Sequence, residues 1–300
     1  MIRAVGLRAK FNLVLLVACA VGFAIAAVVQ NRVFVADARA QVLQNARIML
    51  TAANAIRNYT ANNLVPLLPM EHNGQFVAET VPAFAAQKNF QVVAATFTGY
   101  AYREPALNPT NPADRALAWE ADIIGDFRID ADSKELIIER NTPSGATLNL
   151  ARPITIIDQG CLRCHNTPET APAALIKTYG TVNGFGWKLN ETVGAQIVSV
   201  PMALPLNVAR DAFISFLLMV LAMFAAIFVI LNLLLHNLVI APVKRVSAMA
   251  DAVSLGEEDV EVYIKPGEDE ISSLSVSFNR MRQSLQHAMQ MMTEQFSGRH

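Results

Sequence analysis

The chain has 300 residues, enough for one or two domains. Hydrophobic residues make up 53% and charged residues only 16%, a balance that points to a membrane protein. The formal net charge of −1 gives no sign of the basic surface that a nucleic-acid partner requires, and none is expected.

Residues 1–10 form a short basic N-terminus with Arg3, Arg8 and Lys10. An almost unbroken apolar run follows over residues 11–29, long enough at about 1.5 Å per residue to cross a bilayer core of about 30 Å. Positive charge on its N-terminal side keeps that side in the cytoplasm. A cleaved signal peptide is the competing reading, because Ala38-Arg39-Ala40 has the form of a cleavage site. The run is longer than a signal h-region of roughly 7–15 residues, so an uncleaved first transmembrane helix is expected.

Residues 30–210 form the extracytoplasmic part. Val42, Ala46, Met49, Ala53 and Ile56 recur at helical spacing and predict a helix over 33–68, ended by Pro66 and Pro69. A shorter helix is expected over 78–88. The apolar, β-prone stretch 90–97 reads as a strand closed by Gly99. Asn108-Pro109-Thr110-Asn111-Pro112 forces turns. Asp114 is expected to cap a helix over 115–125. Strands are expected over 135–140 and 148–157 with a turn at Pro143-Ser144-Gly145, then a helix over 171–179 ended by Gly180. Gly184-Phe185-Gly186-Trp187 reads as a loop, and 195–200 as a final strand running towards the membrane.

Between the last two groups of elements stands Cys161-Leu162-Arg163-Cys164-His165. Two cysteines two residues apart and followed at once by His make the attachment pattern of a c-type haem. Each thiol can form a thioether to one porphyrin vinyl group, and the adjacent imidazole can ligate the iron. Cys161 and Cys164 are therefore the attachment residues of one covalent haem c, with His165 the proximal iron ligand. A redox dithiol would not need the His. A zinc site needs four ligands, and Cys19, the remaining cysteine, lies in the distant apolar run. Because haem is attached covalently outside the cytoplasm, the motif also places this region in a periplasm-like compartment. Met49, Met70, His72 and Met202 are the candidates for a distal ligand. An open distal site suited to NO or CO is the alternative. Arg103 and Arg152 are candidates to pair with haem propionates, by guanidinium–carboxylate geometry.

The element order suits an α+β domain with an antiparallel sheet. Arg103-Glu104, the Asn-Pro cluster, Trp119-Glu120, Arg152-Pro153, the Cys-x-x-Cys-His motif and Tyr179-Gly180 resemble a family of c-type haem domains with a PAS-like fold. That family is known from a soluble cyanobacterial haem protein and from bacterial membrane sensors. The resemblance covers roughly residues 40–200. It implies a haem held by Cys161 and Cys164 with His165 as proximal ligand. The soluble member's opposite ligand, a cysteine, corresponds to a position near Thr80-Val81-Pro82, where this chain has none.

A second apolar run, 212–235, is long enough to span with some tilt. Lys244 and Arg245 follow it and place the C-terminus in the cytoplasm. Residues 236–290 resemble a HAMP module. Pro242 opens a helix with Val243, Val246, Ala250 and Val253 as its stripe, and Gly256 ends it. An extended connector follows over 257–267, with Val260, Val262 and Ile264 alternating. Asp269-Glu270 then opens a second helix striped by Ile271, Leu274, Phe278, Met281 and Leu285. Stripes this narrow are buried by a homodimeric four-helix bundle; an amphipathic tail lying on the membrane is the plainer alternative. Residues 291–300 form a C-terminal tail. The stretch after Leu285 is too short for an output domain, so either the output is on a separate cytoplasmic signalling protein, as expected here, or the chain is a shortened one.

The organisation predicts a two-pass bacterial inner-membrane sensor, not an enzyme, that relays a redox or diatomic-gas signal to its partner. The alternative is a membrane-anchored c-type cytochrome exchanging electrons with a redox partner. A peroxidase is a weak third reading, because no distal His-Arg arrangement is evident.

Overall fold

A computed structural model describes residues 6–143, 145–257 and 261–297. The expectations that involve Arg3, Ser144, Val260 and the end of the tail lie outside the described residues.

The first helix, α1 (Leu7–Tyr59), continues as a π-helical turn over Thr60–Leu64. A small hairpin, β1 (Glu71–His72) with β2 (Gln75–Phe76), follows. Then come α2 (Pro82–Thr96), β3 (Ala101–Arg103), α3 (Ala118–Ile129), β4 (Leu136–Thr142), β5 (Gly145–Thr155), α4 (Leu162–His165), α5 (Ala173–Tyr179) and β6 (Thr192–Pro201). Two long helical segments, Arg8–Leu64 and Ala203–Ser254, are long and apolar enough to cross a membrane.

Four strands form one antiparallel sheet in the order β3-β6-β5-β4. The two-residue period of a strand sends neighbouring side chains to opposite faces, and here both faces are buried. Leu148, Leu150, Val198 and Val200 point to a core shared with Val42, Ala46, Leu50 and Ala53 of α1 and with Ala86 and Phe90 of α2. Ala151, Ala195 and Ile197 point the other way, against Ile123, Ile124 and Phe127 of α3. Burying each large apolar side chain contributes roughly 1.5–3 kcal/mol, so the sheet is held from both sides.

Two local expectations are corrected. Residues 90–97 are not a strand: α2 runs from Pro82, which suits the first helical turn, to Thr96. Ala86, Phe90 and Val93 stand at helical spacing against the core, while Val92 and Phe97 are exposed. Nor does Asp114 cap a helix at 115. It closes a short 3₁₀ turn, Pro112–Asp114, whose own cap is the Asn111 side chain accepting from Ala113 N at 3.1 Å. Helix α3 begins at Ala118, where the Glu120 carboxylate reaches back to accept the Leu117 N–H at 2.8 Å.

The other compact unit comprises residues 1–29 and 214–300. Helix α6 (Ala203–Leu235) enters it and passes through a π-helical turn, His236–Ile240, into α7 (Ala241–Ser254). Gly256, at φ +77°, closes α7 in the left-handed conformation that glycine adopts without cost. Helix α8 (Glu270–Ser297) opens where Asp269 Oδ1 accepts the Ser272 N–H at 2.7 Å. Val246 and Met249 of α7 are buried, whereas Leu274, Met281 and Leu285 of α8 are about half exposed, at 46–57%. The buried side of α7 thus includes Met249, absent from the expected stripe, while Val243 stays exposed.

Candidate functional site

The Cys-x-x-Cys-His stretch sits where β5 leaves the sheet. Asp158 bends the chain: its carboxylate accepts the Gly160 N–H at 2.8 Å and its carbonyl accepts the Cys161 N–H at 3.2 Å. The resulting 3₁₀ turn, Gln159–Cys161, runs directly into α4, which ends on His165. Cys161 and Cys164 are free thiols one helical turn apart, the first exposed and the second half-buried. Burial pushes both thiols up from their ordinary value. At Cys161 the Asp158 charge adds to this and Arg57 opposes it. Both are therefore protonated at neutral pH.

His165 is held on three sides. Its Nδ1 is 2.8 Å from the Gly184 carbonyl oxygen and 3.3 Å from Thr110 Oγ1. Its ring stacks on Trp187 with centroids 3.8 Å apart and planes within 10°. A carbonyl only accepts, so Nδ1 carries the proton and Nε2 keeps its lone pair. Burial holds the imidazole below its ordinary pKa, with the Gly184 contact opposing, so the neutral ring prevails at neutral pH. A neutral imidazole with a fixed Nδ1–H is the form that ligates a metal.

The Gly184–Trp187 loop is bound to the motif through its backbone. Gly186 N donates to Asn166 O at 2.8 Å and Trp187 N donates to His165 O at 3.2 Å. The Asn-Pro segment buttresses it from behind: Asn108 Nδ2 donates to Phe185 O at 3.4 Å. Gly184 has φ +83°, and a Cβ there would come within 2.0 Å of Thr110 Oγ1, so that approach requires glycine. The Asn-Pro cluster and the loop are thus the two walls that orient His165.

The other residues singled out from the sequence have neighbours of their own. Met202 is buried in the core with Val42 and Leu50, and Met49 packs against the same cluster, so both serve as packing groups there. His72 is exposed in the β1–β2 hairpin, and Met70 is half-buried, its carbonyl accepting from Val77 N. Arg103 Nε approaches Glu120 Oε1 at 3.0 Å, a charge contact without the alignment of a hydrogen bond. Arg152 binds Glu135 at 3.0 Å, and the same carboxylate binds Arg47 of α1 at 2.7 Å. Both arginines therefore already have carboxylate partners. Among the described residues no group of three or more His, Cys, Asp or Glu side chains is placed to hold a metal ion.

Thr110, Gly184 and Trp187 do not stand out individually in the sequence as site residues.

Comparison with known proteins agrees with the division into two parts. The Tll0287-like family profile matches residues 35–201, over half of the chain, and the HAMP domain profile matches residues 234–287. Among solved structures the chain is similar to the crystal structure of the cyanobacterial haem protein Tll0287, with 17% identity and a TM-score of 0.42, over 53% of this chain and 94% of that one. A search of curated proteins found no match. The chain belongs to the Tll0287-like family and continues into a HAMP domain.

Proposed function

We propose that this member of the Tll0287-like family is a transmembrane signal-transduction sensor. It carries one covalent haem c outside the cytoplasm and relays a redox or diatomic-gas signal through HAMP to a separate cytoplasmic protein. Residues 11–29 and 212–235 span a bacterial inner membrane, residues 30–210 face the periplasm and both termini are cytoplasmic. HAMP modules work as parallel dimers, and the half-exposed Leu274, Met281 and Leu285 supply the apolar positions that a second copy covers.

The observation that carries this reading is the state of His165. Its Nδ1–H is committed to Gly184, its ring is clamped by Trp187, and its Nε2 lone pair remains for iron, next to one free thiol and one helical turn from the other. In this reading Cys161 and Cys164 carry the two thioethers and His165 is the proximal ligand. Haem iron supplies either a one-electron couple or a coordination position for a gas. The chain's own residues orient the imidazole, fix its tautomer and keep it neutral. Strand β6 runs from beside the site to Pro201, and α6 starts at Ala203, a direct route from the haem domain to the second membrane helix. A signal acts by binding or favouring one of two conformations more than the other.

The test is covalent haem. The full chain, made in cells competent for haem attachment, should keep haem peroxidase staining on a denaturing gel and lose it in Cys161→Ala/Cys164→Ala. Absence of covalent haem in the wild type would overturn the reading. Absorption spectra of the ferrous protein with and without CO then separate the inputs. A five-coordinate haem that takes up CO supports a gas signal. A six-coordinate haem inert to CO supports redox sensing or the electron-carrying alternative. Loss of HAMP-dependent signalling with electron transfer intact would favour that alternative.

A further inference from the structure

His165 is attached to the Gly184–Trp187 loop twice over. Its ring meets the loop through the Gly184 carbonyl and the Trp187 indole, and its backbone through the Trp187 N–H, which donates to His165 O at 3.2 Å. A shift of the imidazole therefore has to carry the loop with it or break these contacts.

The loop passes into a turn, residues 188–191, that leads straight into β6. The turn is closed on itself: Lys188 N donates to Glu191 Oε2 at 3.2 Å, and Glu191 N donates to Lys188 O at 3.2 Å. Asn190 takes φ +64°, a left-handed conformation that asparagine tolerates better than most residues. Two neighbours then fasten the turn from outside. Asn190 N donates to Ile156 O at 2.8 Å and Ile156 N donates to Glu191 O at 3.0 Å, just beyond the end of β5. Arg128 of α3 donates to Glu191 Oε1 at 3.0 Å and to Thr192 O at 2.7 Å. The ties meet at Glu191, whose N–H, carbonyl and two carboxylate oxygens are all engaged. A turn bonded in this way moves as a piece, and hydrogen-bonded segments of this kind carry energetic coupling between distant groups.

We propose that Glu191 is a positioning residue that makes the 188–191 turn a rigid coupler between His165 and β6, with Trp187 as its input. The inference rests on the haem reading above. It adds where a signal leaves the site: on the His165 side, through the turn, into the strand that precedes α6. The partners of Glu191 are Lys188, Ile156 and Arg128, so it can be replaced without removing a contact of His165.

The experiment has two readouts. The first is amide hydrogen exchange of the full chain in detergent, produced without haem. His165→Ala should speed exchange about tenfold, the protection given by roughly one hydrogen bond, in 184–187 and onward through 188–195. In the Glu191→Ala background, adding His165→Ala should change 192–195 no further. An effect confined to 184–187, or one that reaches 192–195 equally in both backgrounds, would overturn the proposal. The second readout uses the haem-loaded chain with Leu274→Cys and Cys19 replaced. Bismaleimide cross-linking should differ between the ferric and the electrochemically reduced protein, and the difference should vanish in Glu191→Ala while haem staining is retained. Glu191→Gln keeps an acceptor for the Lys188 N–H and should keep most of the difference. Glu135→Gln, which weakens the domain elsewhere, should keep all of it, whereas a merely structural role would make it behave like Glu191→Ala. A difference that survives in Glu191→Ala would also overturn the proposal. Should the wild type carry no covalent haem or show no difference, the sensor reading fails and the exchange series alone decides on the coupler.

Discussion

Nδ1 of His165 and the carbonyl oxygen of Gly184 lie 2.8 Å apart, although 19 positions separate the two residues along the chain. The contact exists because Gly184 takes a backbone conformation that other residues rarely adopt and sits directly against Thr110. Gly184→Ala should therefore cost about 2–4 kcal/mol, combining left-handed strain with overpacking. Thermal unfolding of the full chain measures this. Adding Thr110→Gly should recover only part of the overpacking, because the backbone Cα of residue 110 would still stand 2.7 Å from the new Cβ. An alanine variant that melts with the wild type would contradict the geometry.

Glu135 makes a second long-range tie, holding Arg47 of α1 and Arg152 of β5 on one carboxylate. Partial burial works against its charge, but the two guanidinium groups prevail and hold its pKa below the ordinary glutamate value. The sign follows. The folded state binds this proton less readily than the unfolded chain, so the contribution is full above the ordinary glutamate pKa. It is lost as the pH falls through the depressed value. Glu135→Gln should flatten the acid limb of a stability–pH profile and leave the neutral plateau lowered by about 1 kcal/mol or less, given how exposed Arg47 is. An unchanged acid limb would refute the assignment.

Gln196 connects α1 to the sheet through Asn54 and Tyr102. Replacing it with Leu keeps the bulk and removes both bonds. The expected loss is about 1–3 kcal/mol, because Asn54 loses its partner while Tyr102 still donates to Glu104. Circular dichroism melts of Gln196→Leu and Asn54→Ala, alone and together, test the pairing. Losses that simply add would show that the two residues do not act through one bond.

In the HAMP segment, single cysteines placed at Leu274, Met281 or Leu285 should form disulfide-linked dimers faster than at Ser273 or Arg280, with Cys19 replaced. The first three recur at heptad a and d positions. Non-reducing gels after mild oxidation read the result. Equal rates at all five sites would contradict a parallel helical seam.

Much of this architecture was legible in the sequence because its signals are local. The long stripe of α1 (Val42, Ala46, Ala53), the pair of strands around Gly145 and the Pro242–Gly256–Asp269 frame each follow from periodicity or cap chemistry within one turn or one strand. Residues 90–97 misled because a short apolar run satisfies both periods. Only the core decided, by accepting Phe90 and Val93 four and seven residues after Ala86. Strand β3 is three residues long and exists through its pairing with β6, almost a hundred positions away. The cysteines and His165 could be read from their spacing. The groups that orient His165 could not, since Thr110, Gly184 and Trp187 meet it only after the chain has folded back twice.

One feature of the sheet bears on how such a molecule can move. Between the last strand residue, Pro201, and the first residue of α6, Ala203, there is only Met202. Its side chain is locked in the core, its N–H donates to Ala146 O at 2.9 Å, and its carbonyl accepts from Leu206 N at 3.0 Å. The junction therefore has no slack to absorb a displacement. Strand and helix are joined there by a fixed elbow rather than a hinge, and a flexible residue inserted beside Met202 would turn the one into the other.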